Sequence, residues 1–279
     1  MRSVVENAVL ALLLEVSGTP KPGNVDRHRD HTDLRFEHFL AGAVGARSGL
    51  SRLTGDGPLG EGFERAVEGM ADQRGGNTQF GALLLLAPLV RAASADEGDL
   101  SPAGATDAVE RTTVGDAVAF YRAFEHVDVA VDDPPEGLDD LDVGRGADAA
   151  PALRERGLTL ADVMDLSAES DGVAAEWVGG FDRTFEAAEW LLGDEGPVPD
   201  RASRAFLRLL ADEADTFVAK TAGPEAAGEA TRRARAVLDG AEDAEALADE
   251  LVERGINPGT TADLTAGALF VALERGLAV

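Results

Sequence analysis

Apolar residues recur at three- and four-residue steps along most of this chain, and nowhere with the two-residue alternation of a half-buried strand. Val4, Val5, Ala8, Val9, Leu12, Leu13 and Val16 form the first such stripe, and Ser17-Gly18 followed by Pro20 predicts its end. A second helix is predicted over 34–53, with Phe36, Phe39, Leu40 and Val44 on one side. Its Gly42, Gly45 and Gly49 either weaken it or let a neighbour approach closely. A short helix follows over 63–71. The run GGNTQFGALLLLAPLV then predicts a helix capped by Asn77 or Thr78 and apolar on all sides, hence central, which Pro88 should kink or end. Helices are also predicted over 105–124, from Thr159-x-x-Asp162, over 173–192, 199–220, 224–238 and 244–253, and from INPGTTADL onward. Residues 128–146 read as a surface loop. The pattern predicts an all-α protein, a single compact domain over 1–279 with roughly ten helices.

Composition narrows what such a bundle does. At 279 residues a substantial core is within reach, and with 5% aromatics it must be built mainly from Ala, Leu and Val. The formal net charge is -27, spread along the chain, and arginine supplies almost all the positive charge. Such a charge repels itself at low salt, so a cytoplasm at molar salt is the expected setting. No basic stripe offsets phosphate repulsion, which argues against a nucleic-acid partner. The absence of cysteine excludes disulfides, thiolate nucleophiles and cysteine-ligated metals. Glu15 interrupts the first apolar run and no small-residue cleavage site follows it, so a secretory leader is not expected. The longest apolar run elsewhere, 82–90, is too short to cross a bilayer. A soluble cytoplasmic protein without a membrane partner is expected, with homodimerisation left open.

Scarce residues point to the chemistry. The segment 19–39 holds three of the four histidines and one of the two lysines, Lys21; the other lysine is Lys220. The spacing of His28, His31 and His38 matches no standard zinc pattern. Neither a nucleophile elbow, a Walker loop nor a dinucleotide-binding glycine fingerprint is present. Three of the four asparagines, Asn24, Asn77 and Asn257, have a glycine within two residues and lie at or before a predicted helix start. Each alone reads as a turn with a cap. Together with both lysines they read as a polyphosphate site, where glycine admits the ligand to the backbone and a helix start supplies N–H groups. Lys21, Arg27 and Lys220 are the candidate cations, and Gly23, Asn24, Asn77, Thr78, Asn257 and Gly259 the candidate contacts. Asp26, Asp33, Asp215 and Asp263 are candidate ligands to Mg²⁺, which takes only one or two carboxylates in such sites. Glu15, off the Leu12/Val16 stripe and one turn before the loop, reads as an exposed surface residue or as part of this chemistry.

PKPGNVDR, GGNT-x-x-G, DTF-x-x-K and NPGTTADL occur in this order, and over nearly the full chain they resemble the triphosphoribosyl-dephospho-CoA synthase family. Glu15, Pro20, Lys21, Pro22, Gly23, Val25 and Asp26 match its first motif, and His31 and Asp33 its His-x-Asp element. Gly75, Asn77, Thr78 and Gly81 match the second motif, with Gln79-Phe80 standing for the usual His-Lys. Asp215 and Thr216 match the third, with Lys220 near a usual histidine and Thr221 for an arginine. Pro258, Gly259, Ala262, Asp263 and Leu264 match the last, with Asn257 for a serine. The resemblance implies an all-α fold and a Mg²⁺-dependent transfer of 5-triphosphoribose from ATP to the ribose 2′-hydroxyl of 3′-dephospho-CoA, with release of adenine. It implies ATP and a CoA-like acceptor as partners. Lys21, Asn77 and Lys220 would hold phosphates, Asp26 and Asp33 would be metal ligands or base, and Glu15 or His31 the other candidate base. The lost polar groups at 79, 80 and 221 motivate two alternatives: another acceptor, or a non-catalytic nucleotide-binding helical protein.

Overall fold

The computed structural model describes residues 2–31, 33–95, 100–132, 134 and 137–279. Among these the chain is all-helical, with no strand beyond one isolated bridge between Asp26 and Arg29. The α-helices are Val4–Ser17 (α1), Phe36–Leu53 (α2), Leu59–Ala71 (α3), Phe80–Ala93 (α4), Pro102–Glu110 (α5), Val114–Ala123 (α6), Ala150–Arg156 (α7), Leu160–Ser167 (α8), Gly172–Gly179 (α9), Asp182–Gly193 (α10), Val198–Asp212 (α11), Thr216–Ala222 (α12), Pro224–Leu238 (α13), Ala244–Glu253 (α14) and Gly259–Glu274 (α15).

The described residues form fifteen α-helices where the apolar pattern predicts roughly ten, and much of the excess comes from breaks inside continuous stripes. Thr113 and Asp116 form a capping box that starts α6 inside the predicted 105–124 helix. Gly180 (φ 74°) and Phe181 (φ 64°) turn the chain between α9 and α10. Asp215 caps α12 and divides the predicted 199–220 helix. Pro88 does not end its helix, which continues to Ala93. The 128–146 segment contains short 3₁₀ turns at Asp139–Leu141 and Val143–Ala149.

Two helices organise the packing. α4 and α15 are buried on nearly every side, and α1, α2, α10 and α11 pack around them. The glycines of α2 serve close packing: a Cβ on Gly45 would lie 2.0 Å from the Gly69 carbonyl oxygen, so α2 and α3 touch backbone to backbone. Phe63, Phe80, Phe120 and Phe124 form an aromatic cluster, with Phe80 to Phe124 ring centroids 4.8 Å apart. A second apolar cluster, including Phe206, Leu210, Val218, Ala230, Leu247 and Ile256, supports α11 to α14. No described helix is long and apolar enough to cross a membrane.

Asp215 ties the two regions together. Its Oδ1 accepts from the Val218 amide, and its Oδ2 accepts from both the amide and the hydroxyl of Thr261, each at 2.7 Å, in the first turn of α15. Asp215→Ala would strand three buried donors and remove a cap, so a loss of about 2–4 kcal/mol in unfolding free energy is expected from urea denaturation. A loss under about 1 kcal/mol would refute this anchoring role.

Candidate active site

One cleft of about 290 Å³ opens where the starts of α4, α9 and α15 meet the end of α1. Part of its lining is polar, including Glu15, Asn24, Asn77, Asp171, Lys220 and Asp263. Another part is apolar, including Phe80, Leu84, Phe124, Val163 and Met164. Such a combination suits a ligand with charged and uncharged ends.

The carboxylates set the electrostatics. Glu15 is buried, and burial raises its carboxyl above the usual range, while the ammonium of Lys21, in direct ion contact, pulls the other way. Asp263 is held well above the usual range, first by desolvation, then by the charges of Glu15, Asp171 and Asp215; the Ala82 amide opposes this. Asp263 rests against Gly81 in the first turn of α4, where a Cβ would lie 2.0 Å from its Oδ2. Only glycine leaves room for the carboxylate there. Asp171 caps α9 by accepting from the Val173 and Ala174 amides through Oδ1, and its Oδ2 lies 3.7 Å from Lys220 Nζ. Lys220 also pairs with Asp132 at 3.3 Å.

The structure brings together Glu15, Asn24, Asn77, Thr78, Lys220, Asn257, Gly259 and Asp263. Asn77 accepts from the Phe80 amide at the start of α4. Asn24 donates to Asn257 at 2.8 Å, joining the loop after α1 to the start of α15. Of the two readings of Glu15, the exposed surface residue is excluded, since it is 3% exposed.

Other residues named from the sequence lie elsewhere. Lys21 is wholly buried behind Glu15, with its Nζ on Glu15 and on Asn24 Oδ1, and it does not line the cleft. Asp26 is also outside: its Oδ2 accepts from Thr19, the Lys21 amide and Arg29, and its Oδ1 from the His28 amide, so it shapes the loop. Gly23 (φ 76°) packs against the Ile256 carbonyl, and His31 bonds the Gly23 carbonyl through Nε2 at 2.7 Å. Arg27 and Asp33 are exposed outside the cleft. Asp215 is committed to its capping bonds and lines a smaller separate cavity.

Asp171, Asp132, Thr260 and Gly81 also border the cleft and were not singled out as site residues from the sequence. In a chain with 52 acidic residues, one more aspartate carries no signal of scarcity. Among the described residues no group of three or more His, Cys, Asp or Glu is arranged to hold a metal. Mg²⁺ on a polyphosphate needs only one or two carboxylates, with phosphate and water completing its shell. Asp263 and Asp171 fit that requirement, as neighbouring carboxylates in the cleft whose mutual repulsion a cation would relieve.

A family model described as ATP:dephospho-CoA triphosphoribosyl transferase (CitG) matches residues 1–278. A crystal structure assigned to a triphosphoribosyl-dephospho-CoA synthase from Archaeoglobus fulgidus is similar in fold, with a TM-score of 0.71 and 29% sequence identity. The similarity covers 87% of this chain and 99% of that one. No curated protein matches.

Proposed function

This chain belongs to the ATP:dephospho-CoA triphosphoribosyl transferase family, and on that premise we propose how its cleft carries out the transfer. The reaction moves a 5-triphosphoribosyl group from ATP to the ribose 2′-hydroxyl of 3′-dephospho-CoA and releases adenine. The supporting observation is the convergence of Glu15, Asp263, Lys220 and three asparagines from distant segments on one cleft.

Lys220 and the start of α15, with Asn257, Gly259 and Thr260, receive the triphosphate; a lysine and a helix N-terminus both favour that charge. Asp263 and Asp171 would hold Mg²⁺, which when bound neutralises part of the phosphate charge. Phe124, Val163 and Met164 hold uncharged parts of the substrates and exclude water. Glu15 is the general base. As the acceptor oxygen bonds the anomeric carbon of the ATP ribose, the carbon–nitrogen bond to adenine breaks and its electron pair leaves with the base. The hydroxyl proton passes to Glu15, and the departing adenine takes up a proton. Burial raises the Glu15 carboxyl and strengthens it as a base, while the Lys21 ammonium pulls the other way and favours the ionised form. The anomeric carbon gains oxocarbenium character, which the nearby carboxylates stabilise.

The test is incubation of the purified protein with ATP, Mg²⁺ and dephospho-CoA in molar KCl, the salt screening its charge of -27. Adenine release that requires both substrates, with equal formation of a triphosphoribosylated acceptor, is the expected result. No adenine from protein shown by circular dichroism to be folded would overturn this reading.

A further inference from the structure

Hydrogen-bond polarity runs in one direction along a row of side chains between α1 and the start of α15. Lys21 can only donate. Its Nζ gives one hydrogen to Glu15 and another to Asn24 Oδ1 at 2.8 Å. With its carbonyl engaged, Asn24 presents its amide nitrogen to the next residue, and Nδ2 donates to Asn257 Oδ1 at 2.8 Å. Asn257 has then used its carbonyl. Its own Nδ2 has no protein partner among the described residues, and Asn257 is part of the cleft wall beside Gly259 and Thr260. A neutral side chain at position 21 that both donates and accepts would leave the direction of this row undetermined.

The direction matters because an anion is held by donors and repelled by a carbonyl oxygen. Resting on the reading of this cleft as an ATP site, we infer that Lys21, acting through Asn24, fixes Asn257 with its amide nitrogen as the free donor, and that this donor takes a triphosphate oxygen of ATP. Asn257 immediately precedes the first turn of α15, whose dipole favours the same charge. Lys21 serves the phosphates as a positioning residue, without touching them.

The experiment measures ATP affinity by calorimetry in molar KCl for the wild type, Asn24→Asp, Asn257→Ser and the double variant. An aspartate at 24 only accepts, so it draws the Asn257 nitrogen away from the cleft. A serine hydroxyl at 257 adapts in either direction, so no polarity can be imposed on it. Asn24→Asp is expected to weaken ATP binding by about tenfold or more beside Asn257 and by less than about threefold beside Ser at 257. Equal losses in both backgrounds would assign the effect to the added charge and overturn the inference. If either Asp-bearing variant fails to fold by circular dichroism, Asn24→Ala replaces it; a loss that depends on Asn257 is again expected, and a loss independent of Asn257 refutes the relay. A wild type that does not bind ATP would instead refute the reading of the cleft itself.

Discussion

Glu15→Gln is expected to lower the rate of adenine release by about 10²–10⁴-fold, the usual range for loss of a general base. Glutamine keeps the shape and removes the proton acceptor. The substitution has a second effect. Lys21 is completely buried and Glu15 is its ion-pair partner, so the variant leaves a buried ammonium without its counter-charge. Breaking one side of such a pair costs about 3–5 kcal/mol. Glu15→Gln with Lys21→Met removes both charges and should regain most of that stability while adenine release stays low. Urea denaturation and an adenine assay on the two variants separate the effects. A single variant with more than about half the wild-type rate would eliminate Glu15 as the base. A double variant no more stable than the single one would show that the pair is not coupled as described.

Gly81→Ala should impair catalysis far more than the addition of one methyl group usually does. The new Cβ would fall 2.0 Å from Asp263 Oδ2, so the carboxylate must leave its position. A displacement of about 1 Å in a site of this kind costs about 100-fold in rate. Stability should fall by no more than about 2 kcal/mol, because crowding of about 1–3 kcal/mol is partly offset by the roughly 1 kcal/mol by which alanine exceeds glycine in a helix. The expected result is a kcat/KM down by about 100-fold with a thermal midpoint lowered by at most several degrees. Wild-type activity in this variant would remove Asp263 from the mechanism.

The helical class and most helix starts were legible because burial imposes a three- to four-residue period. Breaks within a stripe were not: the turn at Gly180-Phe181 and the cap at Asp215 leave the apolar spacing nearly intact on either side. Within the site, scarcity was informative where a residue type is rare in the chain. It pointed to Asn24, Asn77, Asn257 and Lys220, all of which border the cleft. It gave no hold on Asp171, one acid among many. Scarcity also could not reveal orientation. Lys21 and Asp26 lie in the same short loop as Asn24, yet the fold turns both inward, one behind Glu15 and the other into the loop's own hydrogen bonds. His31 likewise serves the loop's shape, through its bond to the Gly23 carbonyl.

Burial of Lys21 leaves Lys220 as the only lysine amine bordering the cleft, because the chain has just these two lysines. An acylating reagent therefore meets one side-chain amine at the site. Bound ATP should shield Lys220 from acylation, so the extent of its modification reports occupancy of the cleft without any engineered handle, a convenience that follows from a chain with only two lysines.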